Sequence, residues 1–191
     1  MKKLHLLKIA SVSAYVMALT ACSSVNTNLV HDTVLVEYSP AANMGDVLDV
    51  WEACKKDSQK WSENTRNDGT VVVQFECSAQ DLLSLNNTIL EKSQTIKKMR
   101  SLFEFDDIRY RAEFVMNSDM NGFTVGSQYT DYFWKDGKKA SQQIPFLQLA
   151  YDGSLATDGL KYIDNPDKFA FTIESYAQMF GPAYLQMRAE N

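Results

Sequence analysis

Two stretches alternate so regularly that only half-buried strands suit them. In "TVVVQFEC", Val71, Val73, Phe75 and Cys77 fall on one side, and in "DIRYRAEFVM" Ile108, Tyr110, Ala112, Phe114 and Met116 do the same. Successive side chains of a strand point to opposite faces, so each stretch gives one continuous apolar face that must be covered. The chain is therefore built around a sheet with something packed on it.

The other elements are placed around these two strands. "TVLVEY", residues 33–38, reads as a first strand stopped by Ser39-Pro40. A helix is predicted near residues 44–56, because Met44, Val47, Leu48, Trp51 and Cys54 recur at helical spacing behind Asn43, a suitable N-cap. "KWSENTR" pairs with "TVVVQFEC" across Asn67-Asp68-Gly69, a hairpin signal because Asp-Gly tolerates positive φ. From Ser78, with Asp81 completing a capping box, a long helix is predicted through Leu82, Leu85, Ile89, Ile96, Met99 and Phe103, interrupted at Lys92. After the 107–116 strand, "GFTVGSQYTDYFW" turns at Lys135-Asp136-Gly137, and "IPFLQLAY" closes the sheet. A last helix starts at Asn165-Pro166-Asp167, carries Phe169, Ile173, Tyr176, Ala177 and Phe180, and ends at Gly181-Pro182. The class is α+β: an antiparallel sheet of about five to six strands with helices mainly on one face, opening in the β-α-β-β-α-β order of ferredoxin-like folds.

The N-terminus says where such a domain would work. "MKKLHLLKIA" carries three lysines and no acid, and an apolar segment runs from Ile9 to Leu19. That core is too short to span a bilayer, which takes about 20 residues, but it has the form of a secretory signal. It closes on Leu19-Thr20-Ala21-Cys22, which resembles the lipobox of bacterial lipoproteins. The resemblance implies removal of residues 1–21, a diacylglyceryl thioether and an amide-linked acyl chain on Cys22, and a tether over 22–32 leading into one α+β domain over 33–191. Several acyl chains anchor firmly where one does not. Ser23 is not the Asp that holds such lipoproteins at the inner membrane, so the resemblance implies the periplasmic face of the outer membrane.

Cleavage there leaves 16 basic against 24 acidic residues, a net charge of −8. That balance speaks against nucleic acid or an anionic bilayer as general partners, since both select basic patches. Two cysteines remain, Cys54 and Cys77, each aimed at the core side of its element. In an oxidising compartment they are expected to form a structural disulfide. A redox-active pair would instead be close in sequence, as in Cys-x-x-Cys, and that motif is absent.

Catalytic signals are sparse. The one histidine after Cys22 is His31, in the expected tether, and no Gly-x-Ser-x-Gly, His-Glu-x-x-His or phosphate-binding Gly-rich motif occurs. "NSDMNG", Asn117 to Gly122, echoes the start of a calcium loop, but Asn stands first and Gln128 twelfth, so a strand-to-strand turn is expected and no metal. Glu104, Asp106 and Asp107 could form an acid–base pair if their environments split their pKa values, although a helix-to-strand junction is normally solvated. Lys92, Lys97, Lys98 and Arg100 form a basic helix surface, read as a solvated face.

The richest candidate is "YTDYFWKDGKKA". Alternation puts Tyr132 and Trp134 on one face and Tyr129 and Phe133 on the other. If helices cover only one face, some of these rings are exposed, and Tyr132 and Trp134 are the candidate binding surface. Phe75-Glu76-Cys77 and Tyr129 through Trp134 also resemble periplasmic lysozyme-inhibitor lipoproteins, although "VGSQYT" lacks the lysine of their inhibitory loop. The sequence therefore leads to the expectation of an outer-membrane-anchored, non-catalytic lipoprotein that binds a protein or envelope component and needs no cofactor. The alternatives are an inhibitor of a wall-degrading enzyme and a carboxylate-dependent hydrolase.

Overall fold

The computed structural model describes residues 24–92, 100–158 and 180–186. Five strands, β1 (Lys60–Thr65), β2 (Val71–Ser78), β3 (Phe105–Met116), β4 (Phe123–Trp134) and β5 (Lys139–Gln143), form one antiparallel sheet in sequential order. The α+β class holds. The ferredoxin-like strand order does not, because a meander places each strand beside its sequence neighbour.

The alternation is realised in β2 and β3. Val73, Phe75, Cys77, Ile108, Tyr110, Ala112 and Phe114 are buried in a single core. The β1–β2 turn is where the sequence places it, with Arg66 N–H donating to the Thr70 carbonyl and Gly69 at φ +84°. Helices α1 (Val25–His31), α2 (Met44–Leu48), α3 (Gln80–Lys92) and α4 (Leu147–Tyr151) contribute Val30, Met44, Leu48, Leu82, Ile89 and Leu147 to the same core. The helical residues 180–186 add Phe180 and Ala183. One face of the sheet is thus covered and the other carries charge. Among the described residues no helix is long and apolar enough to cross a membrane.

Six expectations need correction. Residues 24–32 are not a tether: Ser24 caps α1 by accepting from Thr27 N–H, and Val30 is fully buried. Thr33–Tyr38 is not a strand of the sheet. Among the described residues its only strand pairing is an isolated bridge between Val34 and Asn43, and Val36 is exposed. The helix after Asn43 stops at Leu48, and Cys54 instead sits in a turn bridged to Ala79. "IPFLQLAY" does not close the sheet; β5 does, and Leu147–Tyr151 is helical. Ser78 ends β2 in place of capping α3, whose first N–H, on Gln80, is taken by the Ala53 carbonyl at 2.8 Å. The chain also remains helical past Gly181-Pro182. The predicted helix from Asn165 to Met179, and Ile96 and Met99, lie outside the described residues.

Side-chain bonds organise the N-terminal arm, residues 24–56. The His31 ring bridges two carboxylates, with Nδ1 at 2.8 Å from Asp32 Oδ1 and Nε2 at 3.0 Å from Asp49 Oδ2. A protonated ring can donate from both nitrogens and so satisfy both contacts at once. The hydrogen bond to Asp32, reinforced by Asp49 and opposed by partial burial, raises its pKa. Trp61 Nε1–H of β1 donates to Asp49 Oδ1 at 2.8 Å and its ring meets His31 edge-on. A Cβ at Gly45 would lie 2.1 Å from the His31 ring, so only glycine lets the ring rest on α2.

Candidate functional site

Between the covered face of the sheet and the segment after β5 lies a cavity of about 500 Å³. Leu82, Ile144, Leu149 and Leu155 make it largely apolar, and Tyr110, Thr130 and Tyr132 complete much of its lining. Long-range contacts fix that segment. Gln128 Oε1 accepts from both Phe146 N–H (2.7 Å) and Leu147 N–H (2.8 Å), supplying from β4 the cap that α4 lacks locally. Trp51 Nε1–H donates to the Ser154 carbonyl at 2.9 Å, and its ring stacks on Phe146.

Behind this wall sits Asp81, 9% exposed. Tyr110 Oη–H reaches its two carboxylate oxygens at 3.1 and 3.2 Å, and Leu82 N–H donates to Oδ1 at 2.8 Å. Loss of solvation outweighs these donors, so the Asp81 carboxyl is held above the usual carboxylate range. Burial, followed by the neighbouring Asp81 charge, pushes the Tyr110 phenol well up. The pair ties α3 to β3 and holds one wall of the cavity. Asp158, at the rim, accepts from Leu155 N–H. The described lining holds no basic side chain and is mainly apolar.

The opposite face of the sheet is a network of ion pairs. Arg111 holds Asp131 through two nitrogens, at 2.6 and 3.1 Å, and Glu113 at 2.8 Å. Arg109 joins Asp107 (2.6 Å) to Glu76 (3.0 Å). The Arg111 guanidinium lies 4.1 Å over the Tyr129 ring and that of Arg109 4.7 Å over Phe133. Paired and stacked in this way, the half-buried cations and carboxylates satisfy one another.

The predicted residues separate accordingly. Cys54 and Cys77 are bonded, with Cα atoms 5.6 Å apart. Cys22 lies outside the described residues, as do Lys97 and Lys98. Tyr132 and Trp134 are not an exposed aromatic surface: they are 0% and 3% exposed, packed around Phe105 and, for Tyr132, against Phe180. Alternation gives them one face, as predicted, but that is the face the helices cover. The carboxylates of 104–107 do not converge. Glu104 pairs with Arg100, Asp107 accepts from Ser78 Oγ and Arg109, and Asp106 is exposed. Asn117–Gly122 is the β3–β4 turn, closed by Asn117 N–H to the Gly122 carbonyl, with Asp119 accepting from Asn121 N–H. The "VGSQYT" segment lies within β4, not in a loop.

Two features escaped the sequence. Asp81 reads as a helix-start acid, and only its pairing with Tyr110 across 29 positions reveals a buried carboxyl. The Arg109 and Arg111 network was visible only as the polar positions of the alternation. The chain matches no family model, and neither a curated protein nor a solved structure shows significant similarity to it.

Proposed function

We propose that this chain is a lipid-anchored protein of the periplasmic face of the outer membrane, acting by binding an envelope component and not by catalysis. The location rests on the signal-like N-terminus and Leu19-Thr20-Ala21-Cys22. The mode of action rests on one observation, the cavity of about 500 Å³ whose described lining is mainly apolar and holds no basic side chain. A hydrolase built on Glu104 and Asp107 is disfavoured because both carboxylates are spent on arginines.

Two measurements test the two halves. Replacing Cys22 by Ser should leave the chain unacylated and uncut; a variant still processed and still fractionating with the outer membrane refutes the anchor. For the cavity, an apolar fluorophore such as N-phenylnaphthylamine should bind saturably to the wild-type chain. Ala156→Phe, which fills the lining, should weaken that binding at least tenfold at unchanged thermal midpoint. Equal binding by both proteins refutes the cavity as the seat.

A further inference from the structure

We infer that the domain is held directly against its bilayer, and that the sheet edge formed by β1 and the N-terminus of α1 is the membrane-facing surface. This rests on lipidation of Cys22 as proposed above. Cys22 and Ser24 are two positions apart, and two residues of fully extended chain span at most about 7 Å. Ser24 is already fixed in the fold. Its Oγ accepts from Thr27 N–H at 2.9 Å and is hydrogen-bonded to the Glu63 carboxylate of β1. Six residues further on, Val30 is fully buried, so α1 cannot act as an extension of the leash. The acylated cysteine sits at headgroup depth, and the Ser24–Glu63 contact therefore lies within about one nanometre of the headgroups.

Val25 gives this surface its chemistry. It is the first residue of α1 and 84% exposed, an isopropyl group left in water three positions after the lipidated cysteine. The interfacial layer of a bilayer, into which apolar side chains of surface-lying helices settle, is the surrounding in which that exposure ceases. The sheet order then sets what points away. Strands are spaced about 4.8 Å apart, so β5 lies four spacings, about 19 Å, beyond β1. The β4–β5 turn at Lys135-Asp136-Gly137 is accordingly on the periplasmic side.

The test uses the full lipidated chain in vesicles of phosphatidylethanolamine and phosphatidylglycerol doped with headgroup-nitroxide lipid. Cys54 and Cys77 are bonded and Cys22 is acylated, so a single introduced cysteine takes a bimane label. Asn64→Cys on β1 should be quenched at least fivefold more strongly than Lys135→Cys. Ten Gly/Ser residues inserted between Ser23 and Ser24 should abolish the difference. Equal quenching at the two sites, or stronger quenching at 135, in a chain whose Cys22 is acylated by mass spectrometry overturns the inference alone. Absence of acylation on Cys22 overturns the anchor and this inference with it.

Discussion

The meander and the N-terminal arm are two parts of one core held by different means. In β2, β3 and β4 the inward rows are large and continuous: Phe75, Tyr110, Phe114 and Tyr132 are fully buried against one another and the helices. In residues 24–56 the helices are seven and five residues long, well short of what stabilises a helix by itself. Individual bonds set their positions: Ser24 to Glu63, His31 to Asp49, Trp51 to Ser154 and Cys54 to Cys77. A region fixed by area tolerates the loss of any one polar contact. A region fixed by a few contacts does not, and the two should therefore fail differently.

The largest effect is expected in the meander. Phe75→Ala should cost about 3–5 kcal/mol, the usual range for emptying a fully buried aromatic site, read as a fall in the urea midpoint with the slope unchanged. A loss under about 1 kcal/mol would show that the core is not held by area. Next come Cys54 and Cys77. Replacing both by Ala should cost about 2–5 kcal/mol, and alkylation of native protein should find no free thiol. Two alkylatable thiols in native protein would remove the covalent link between the regions.

Gly45→Ala tests the arm alone. The new Cβ displaces the His31 ring from α2, with an expected loss of about 1–3 kcal/mol and faster proteolysis between residues 33 and 56 than in β3 or β4. Cleavage appearing equally in the meander would erase the contrast.

The smallest effect is that of pH on His31. Its pKa is raised in the folded state, so the clasp contributes fully below the unfolded value of about 6.5 and is lost as pH rises through the folded pKa. Between pH 6 and pH 8.5 wild type should lose under about 1 kcal/mol relative to His31→Asn, a range typical of partly exposed pairs. The groups facing the ring are Asp32, Asp49 and Trp61. Parallel pH profiles for the two proteins would show that the imidazolium contributes nothing.

The same contrast explains what the sequence revealed. Period-two alternation placed β2, β3 and β4 and grouped Tyr132 with Trp134 and Tyr129 with Phe133, because a half-buried strand must alternate, but it did not show the register shift that turns Phe123 toward the core. It could not say which face of the sheet the helices would take, and so Tyr132 and Trp134 were expected on a surface when they are in the core. "TVLVEY" alternates equally well, yet among the described residues it pairs only through the Val34–Asn43 bridge, and only Leu35 of its valines and leucine is buried. "IPFLQLAY" is a short apolar run, ambiguous between strand and helix until Gln128 supplies its cap from 18 positions away. The cavity was illegible for the same reason. Its lining comes from α3, β3, β4 and the 144–158 segment, and no local pattern joins them.

The Cys54–Cys77 bond also bears on how such a protein could be shed. The exposed Asn67-Asp68-Gly69 turn lies inside the loop that the bond closes. A protease that clips this turn produces two chains that stay covalently joined, so an N-terminal piece fixed to a membrane would keep its hold on the rest of the domain. Release by that route requires two independent events, a cut and a reduction, and a single nick leaves a damaged protein in place.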